Sequence, residues 1–206
     1  MILLSALLLG LLAGSCRAKV RGHHPIYPDL RWPWLVGIAF VPQFLAFHLE
    51  PSREVCPDRL ASGALVGSQI LLMVFAWVNR KITGFHLLGA GLSLNLLVIA
   101  LNGGLMPISP ETVMKLAPGA PAHSWQTGQR LWESKDIVLP VVNTHFWVLS
   151  DHLLLPFWFP YHVAFSIGDI LIALGAFWAL WMVGSPASSY LKMARQTIEN
   201  NPEYGD

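Results

Sequence analysis

The sequence predicts an all-α integral membrane protein. We expect a bundle of five transmembrane helices and a long extracytoplasmic loop carrying short interfacial helices, all in one membrane domain over 1–206. Three observations predict it. Only 12% of the 206 residues are charged and 54% are hydrophobic, whereas an average globular domain is about 25% charged. The stretch 165–183, FSIGDILIALGAFWALWMV, is apolar on every side and holds one charge, Asp169. Its length suits a hydrocarbon core of about 30 Å, and it lacks the polar stripe of a soluble helix. Further apolar runs alternate with short segments rich in Pro, Gly or basic residues.

The first span covers about 1–16, an apolar run followed by Ser15-Cys16-Arg17 and the basic residues Lys19 and Arg21. A cleaved signal peptide would carry basic residues ahead of its apolar core, and none precede this one. A lipoprotein signal would place a leucine three residues before Cys16, where Ala13 stands. The remaining reading is a short retained helix stopped by its basic flank, with Arg17 snorkelling to the interface. His23, His24, Pro25 and Pro28 follow in a loop.

The second span is 32–49, with Pro42 predicting a kink and Gln43 directly after it. A polar loop, EPSREVCPDR, leads to the third span, 60–78, which contains Ser62, Ser68 and Gln69. The basic turn NRKITG leads to the fourth, 85–101, with His86 near its start and Asn95 at its middle. Asn102-Gly103-Gly104 should stop that helix, because glycine takes the left-handed conformation a helix end requires.

The outer loop is 102–164. Ser109-Pro110-Glu111 reads as an N-cap, a first-turn proline and a first-turn acid, so a short surface helix should follow. Residues 117–140 read as loop. Residues 141–161 are aromatic but broken by Asn143, Asp151 and Pro156, and are expected to form interfacial segments rather than a span. The fifth span is 165–183, closed by Gly184-Ser185-Pro186 before a polar tail.

The distribution of Lys and Arg orients these spans. Arg17, Lys19, Arg21 and Arg31, then Arg80 and Lys81, then Lys192 and Arg195 all fall on one side. The expected location is a bacterial cytoplasmic membrane, with the N-terminus outside and the C-terminus in the cytoplasm. Cys16 and Cys56 then lie on opposite sides and cannot pair. A net charge of +1 gives no broad basic field for nucleic acid.

Polar residues inside the spans are the candidate ligand-binding set. Asp169 lies about 6 Å below the outer end of the last span, and an intramembrane acid is a functional candidate by default. Ser166 lies one turn before it. Asn95 and Asn102 are two turns apart on one helix face, with Gln43 in the outer half of the second span and Gln69 near the middle of the third. These six could line an outward-opening polar cleft. Equally, Asn, Gln and Ser in such helices often only bond neighbouring helices, and Asp169 could simply cap its helix. His48, His145, Asp151, His152 and His162 match no metal-site spacing, so no metal is expected, and no cofactor is identified.

Three stretches, LSLNLLVIALNGGLMPISPE (92–111), DHLLLPFWFP (151–160) and FSIGDILIALGAF (165–177), together resemble a family of small bacterial polytopic membrane proteins catalogued only as a domain of unknown function. The resemblance covers most of the chain and implies the fold and its boundaries, with no activity attached. Phe165-Ser166-Ile167-Gly168-Asp169 is also similar in spacing to the Phe-Asn-x-Ala-Asp motif of prolipoprotein signal peptidases. Those enzymes use a second aspartate. After Asn95 this chain has Val98 where the acid would stand, leaving Asp151 as the candidate partner.

The expected role is therefore a non-enzymatic membrane protein, an accessory or assembly subunit working with the lipid bilayer and partner membrane proteins. Two alternatives stand beside it. One is a binder or carrier of a small ligand or ion through a cleft at Asp169 and Asn95. The other is an intramembrane aspartyl hydrolase using Asp151 and Asp169.

Overall fold

The computed structural model describes residues 2–22, 28–48, 56–121, 124–132, 134–156, 158–159 and 162–182. The His23–His24 pair, most of the polar loop after the second span, the stop at 184–186 and the tail with Lys192 and Arg195 lie outside the described residues.

Helices dominate. They are α1 (Ile2–Val20), α2 (Trp34–Phe47), α3 (Asp58–Val78), α4 (Phe85–Leu101), the short α5 (Pro110–Leu116) and α6 (Ile167–Trp181). Two of them, α1 and α3, are long and apolar enough to cross a membrane; α2, α4 and α6 are apolar but shorter. The five long helices pack in a row, α2–α3–α4–α6–α1, so the first helix docks on the last.

Contacts at the ends fix the directions. Asn79, after α3, accepts from the Arg31 backbone N–H at 2.8 Å and donates to the Arg31 carbonyl at 2.9 Å, so α3 ends where α2 begins. The Arg17 guanidinium lies 5.0 Å from the centre of the Trp181 ring, so α1 and α6 end together. The four chain neighbours therefore alternate in direction, while α1 runs parallel to α6. As a result Arg17, Lys19, Arg21, Arg31, Arg80 and Lys81 gather at one end of the bundle.

Small residues set the helix spacing. Gly91 faces the carbonyl of Gly168 and the side chain of Ile172, and Gly84 faces the backbone of Gly175 and Ala179. A methyl group at Gly84 or Gly168 would run into the opposing helix, which is how α4 and α6 come so close. On the far side of α6, Gly10, Gly14 and Ala18 of α1 are buried, with Gly10 against Phe177 and Gly14 against the Leu180 carbonyl. Between the helices, Leu35, Phe75, Phe85, Leu92 and Ile172 form one apolar cluster. Phe47, Leu65, Val98 and Ile99 join Leu105 and Met106 in a second.

Opposite the basic end sits a folded cap. Gly103 and Gly104 both have φ of +87° and end α4 as expected. Ser109 Oγ accepts from the Thr112 N–H at 3.2 Å and caps α5. The expected loop over 117–140 is corrected, because it contains β2 (Asp136–Val138), which pairs in parallel with β1 (Met106–Ile108). Over 141–161, where the sequence predicts interfacial segments, Val142, Phe146 and Trp158 are exposed. Described residues there form two single 3-10 turns, Val141–Asn143 and Trp147–Leu149, and β3 (Leu153–Leu154), antiparallel to β4 (Ala164–Phe165). A purely α-helical fold is thus revised to a mostly helical one with short strands. Ile108, Val113, Leu131 and Val138 give the cap a small core of its own, while Val142, Phe146, Trp147 and Trp158 stay on its surface.

Candidate functional site

The capped start of α6 is the focus. Ser166 is fully buried with extended backbone (φ −100°, ψ 168°), and its Oγ accepts from the Asp169 N–H at 3.0 Å. Asp169 Oδ2 reaches back to the Ser166 N–H at 3.1 Å. This is a reciprocal capping box, built because Ser and an acid stand three residues apart at a helix start. The carboxylate also sits where the positive end of the helix dipole favours an anion.

Asn95 completes the arrangement from α4. Its Nδ2 donates to Asp169 Oδ1 at 2.9 Å, and its Oδ1 accepts from Ser166 Oγ at 2.9 Å. Asn95 is only 3% exposed. Three of the six expected site residues thus meet in one closed hydrogen-bonded ring. The Asn95 amide also lies directly against the Gly168 α-carbon, where any side chain would collide with it.

The other three lie apart from this ring. Asn102 donates to the Val98 carbonyl at 2.8 Å and forms a two-way bond with the backbone of His145, at 2.9 and 3.0 Å, so it ties the cap to the end of α4. Gln69 is buried in α3, and among the described residues its Oε1 has no hydrogen-bond partner. Gln43 is half-buried in α2, next to Pro42.

A second charged group lies in the cap. Asp151 is 0% exposed. Its backbone N–H donates to the Pro107 carbonyl at 3.1 Å, which adds it to the β1 ladder. Its Oδ2 is gripped by the Lys135 ammonium, which also lies 3.3 Å from Asp136 Oδ1. Asp151 Oδ1 has no hydrogen-bond partner among the described residues. Burial pushes the Asp151 carboxyl up; Lys135 pulls it back; Asp136 and Asp169 push it further, to about 8. For Lys135, burial opposes the charge, but Asp136, Asp151 and Asp169 outweigh it and hold the ammonium protonated well above the ordinary lysine range.

Lys135 is the residue sequence reasoning missed. Its signal was faint: a Lys-Asp pair immediately before the β-branched run Ile137-Val138, in a segment read as loop. Among the described residues no cluster of His, Cys, Asp or Glu has metal-binding geometry. His152 Nδ1 lies 2.9 Å from the Ser150 carbonyl, and its ring stands edge-on to Trp147.

Comparison with known proteins adds a family. A model described as a family of unknown function, DUF5317, matches residues 28–181. An uncharacterised protein of Thermotoga maritima is 28% identical over 178 residues, covering 85% of this chain and 86% of that protein. No solved structure matches the chain.

Proposed function

The chain belongs to DUF5317, a family of unknown function, and from that premise we propose that it is a five-span membrane protein serving as a non-enzymatic accessory or assembly subunit. The membrane part of the reading is supported by what the helices leave uncovered. In α1, Leu8, Leu9 and Leu12 are 53–63% exposed, and in α2 Ile38, Phe40 and Val41 are 51–57% exposed. Only 17% of the apolar window of α1 and 33% of that of α3 is buried, so neither is the enclosed core helix of a water-soluble domain. Large exposed apolar surfaces of this kind mark contact with a membrane or a partner. Among the described residues six basic groups lie at one end, which would be cytoplasmic under the charge rule, against Arg59, Lys115, Arg130 and Lys135 at the capped end.

One observation carries the accessory role. The most polar helix crossing is satisfied from within, because Asn95, Ser166 and Asp169 bond one another and both carboxylate oxygens of Asp169 are used. Such a ring serves as a fastener, and what remains for function is the outer surface. The ligand-carrier alternative would need the Asn95–Asp169 bond to open. The hydrolase alternative would need substrate to reach Asp151, which is fully buried on Lys135.

Two experiments test the proposal. Cys16→Ser/Cys56→Ser protein carrying a single cysteine at Lys81 or at Gly119 is labelled in intact cells with an impermeant maleimide. Labelling at 119 and protection at 81 is the expected result, and the reverse would overturn the orientation. Mild-detergent purification from native membranes should yield a stoichiometric complex. A homogeneous monomer from freshly solubilised native membranes would count against the subunit role.

A further inference from the structure

A groove of about 460 Å³ runs along the outside of the α3–α4 hairpin, at the basic end of the bundle. That volume falls within the range of small-ligand sites, about 300–1,000 Å³. Its walls include Ile70, Met73, Val74 and Trp77 of α3, and its floor is low because α4 contributes Gly89 and Ser93 opposite Ala76. The Ser93 hydroxyl is used internally, donating to the Gly89 carbonyl at 2.8 Å, so the floor makes no polar demand on an occupant. The trough is apolar along its length and faces outward, with Ile70 48% and Trp77 68% exposed.

Its mouth has the opposite character. The Arg80 guanidinium is stacked 4.5 Å from the centre of the Trp77 ring and donates one N–H to the Trp77 carbonyl at 3.1 Å. A guanidinium has five N–H donors in a planar fork, and among the described residues one of them is taken by that carbonyl, while the stacking holds the group in place. His86 lines the groove and is exposed, and Lys81, next to Arg80 in the chain, is exposed as well. From Leu60 to Leu101 the sequence has no Asp or Glu, so the hairpin supplies no anion of its own to this mouth.

Resting on the membrane reading above, we propose that this groove binds an anionic phospholipid of the cytoplasmic leaflet. One acyl chain lies along Ile70, Met73 and Val74, and the phosphodiester is held by Arg80 with Lys81 and His86 beside it. An amphipathic ligand is called for because apolar trough and cationic mouth adjoin. A free anion has no use for the trough, and a zwitterionic lipid offers the mouth no net charge. Trp77 marks the interfacial depth at which a phosphate sits.

The test uses the full chain in a delipidating detergent. Its thermal stability is titrated with phosphatidylglycerol, with phosphatidylcholine of the same acyl chains, and with inorganic phosphate. Phosphatidylglycerol should stabilise at the lowest concentration, and phosphate alone should do nothing. Arg80→Gln should raise the half-saturating phosphatidylglycerol concentration about fivefold, the value of one basic residue near an anionic leaflet. Arg80→Lys should retain part of the preference, and Gly89→Leu should fill the trough and remove it. Retained bound lipid measured by native mass spectrometry gives the same comparison should Gly89→Leu unfold. Equal response to both lipids, a preference untouched by Arg80→Gln, or equal stabilisation by free phosphate would overturn the proposal. Alkaline carbonate washing of membranes separates the two levels. Release of the chain would sink the membrane reading itself, whereas retention without lipid preference would sink only the groove.

Discussion

Asn95 and Asp169 meet where α4 crosses α6, the Asn95 Nδ2 lying 2.9 Å from Asp169 Oδ1. The same carboxylate caps its own helix through Ser166, so one side chain fixes both a helix start and a helix pair. Asp169→Ala should remove the Asn95 bond and the carboxylate's half of the capping box, while Ser166 Oγ still accepts from the backbone N–H at 169. The expected loss is about 1–3 kcal/mol for the orphaned partner groups. Unfolding of the two proteins in mixed micelles measures it. An Asp169→Ala protein as stable as the parent would show that the ring fastens nothing.

The tight crossing makes its own prediction. Gly168 abuts the Asn95 amide and the Gly91 carbonyl, whereas Gly67 of α3 has open space around it. Gly168→Ala should therefore destabilise by about 1–3 kcal/mol through overpacking, while Gly67→Ala is neutral or better. Equal melting temperatures for the two variants would contradict the close approach.

Asn102 is expected to control the cap. It holds His145 by both its backbone N–H and its carbonyl. Next to it, Phe146 is kept at a φ of +54°, a conformation unfavourable for a bulky residue. Asn102→Ala should accelerate amide hydrogen exchange over 144–150 while leaving α6 protected. Uniform exchange in both proteins would rule out the tie.

The Lys135–Asp151 pair should make stability pH-dependent. Asp151 has its carboxyl raised from an ordinary 3.8 to about 8 by burial, against the pull of Lys135 and with the push of Asp136 and Asp169. The native state then holds a proton that the unfolded chain releases. Its contribution is full below about pH 4, fades as pH rises, and is lost above about 8. Melting temperature should fall across that window, and Asp151→Asn should flatten the fall. A rise in stability over the same window would reverse the assignment.

Docking of α1 can be tested at Gly14, which lies against the Leu180 carbonyl of α6. Gly14→Leu should push α1 off α6 and separate Arg17 from the Trp181 ring. Trypsin should then cut at Arg17, Lys19 or Arg21 faster than in the parent. Unchanged cleavage would mean that α1 is not held there.

Much of the helical layout was legible because it depends on local chemistry. Apolar runs of near-constant length marked the helices, Gly103 and Gly104 marked the end of α4, and Ser109 marked the start of α5. The Ser166-to-Asp169 spacing could have been read as a capping box, since each half lies within one turn. The strands were not legible. β1 and β2 are three residues each, and Met106 pairs with Asp136 thirty positions away. No periodicity builds up in so short a segment, so pairing there is decided by the partner.

The sequence by itself determined the apolar helices, their order and the asymmetry of basic charge, because hydrophobic length and charge are properties of contiguous residues. It also nominated Asn95, Asp169 and Asp151. Only the tertiary structure decided that Asn95 and Asp169 bond each other, that Asn102 serves the cap, and that Lys135 sits on Asp151. Those outcomes rest on hydrogen bonds and ion pairs between groups 16 to 74 residues apart. Their strength depends on distance and burial in space, which the linear order of residues does not contain.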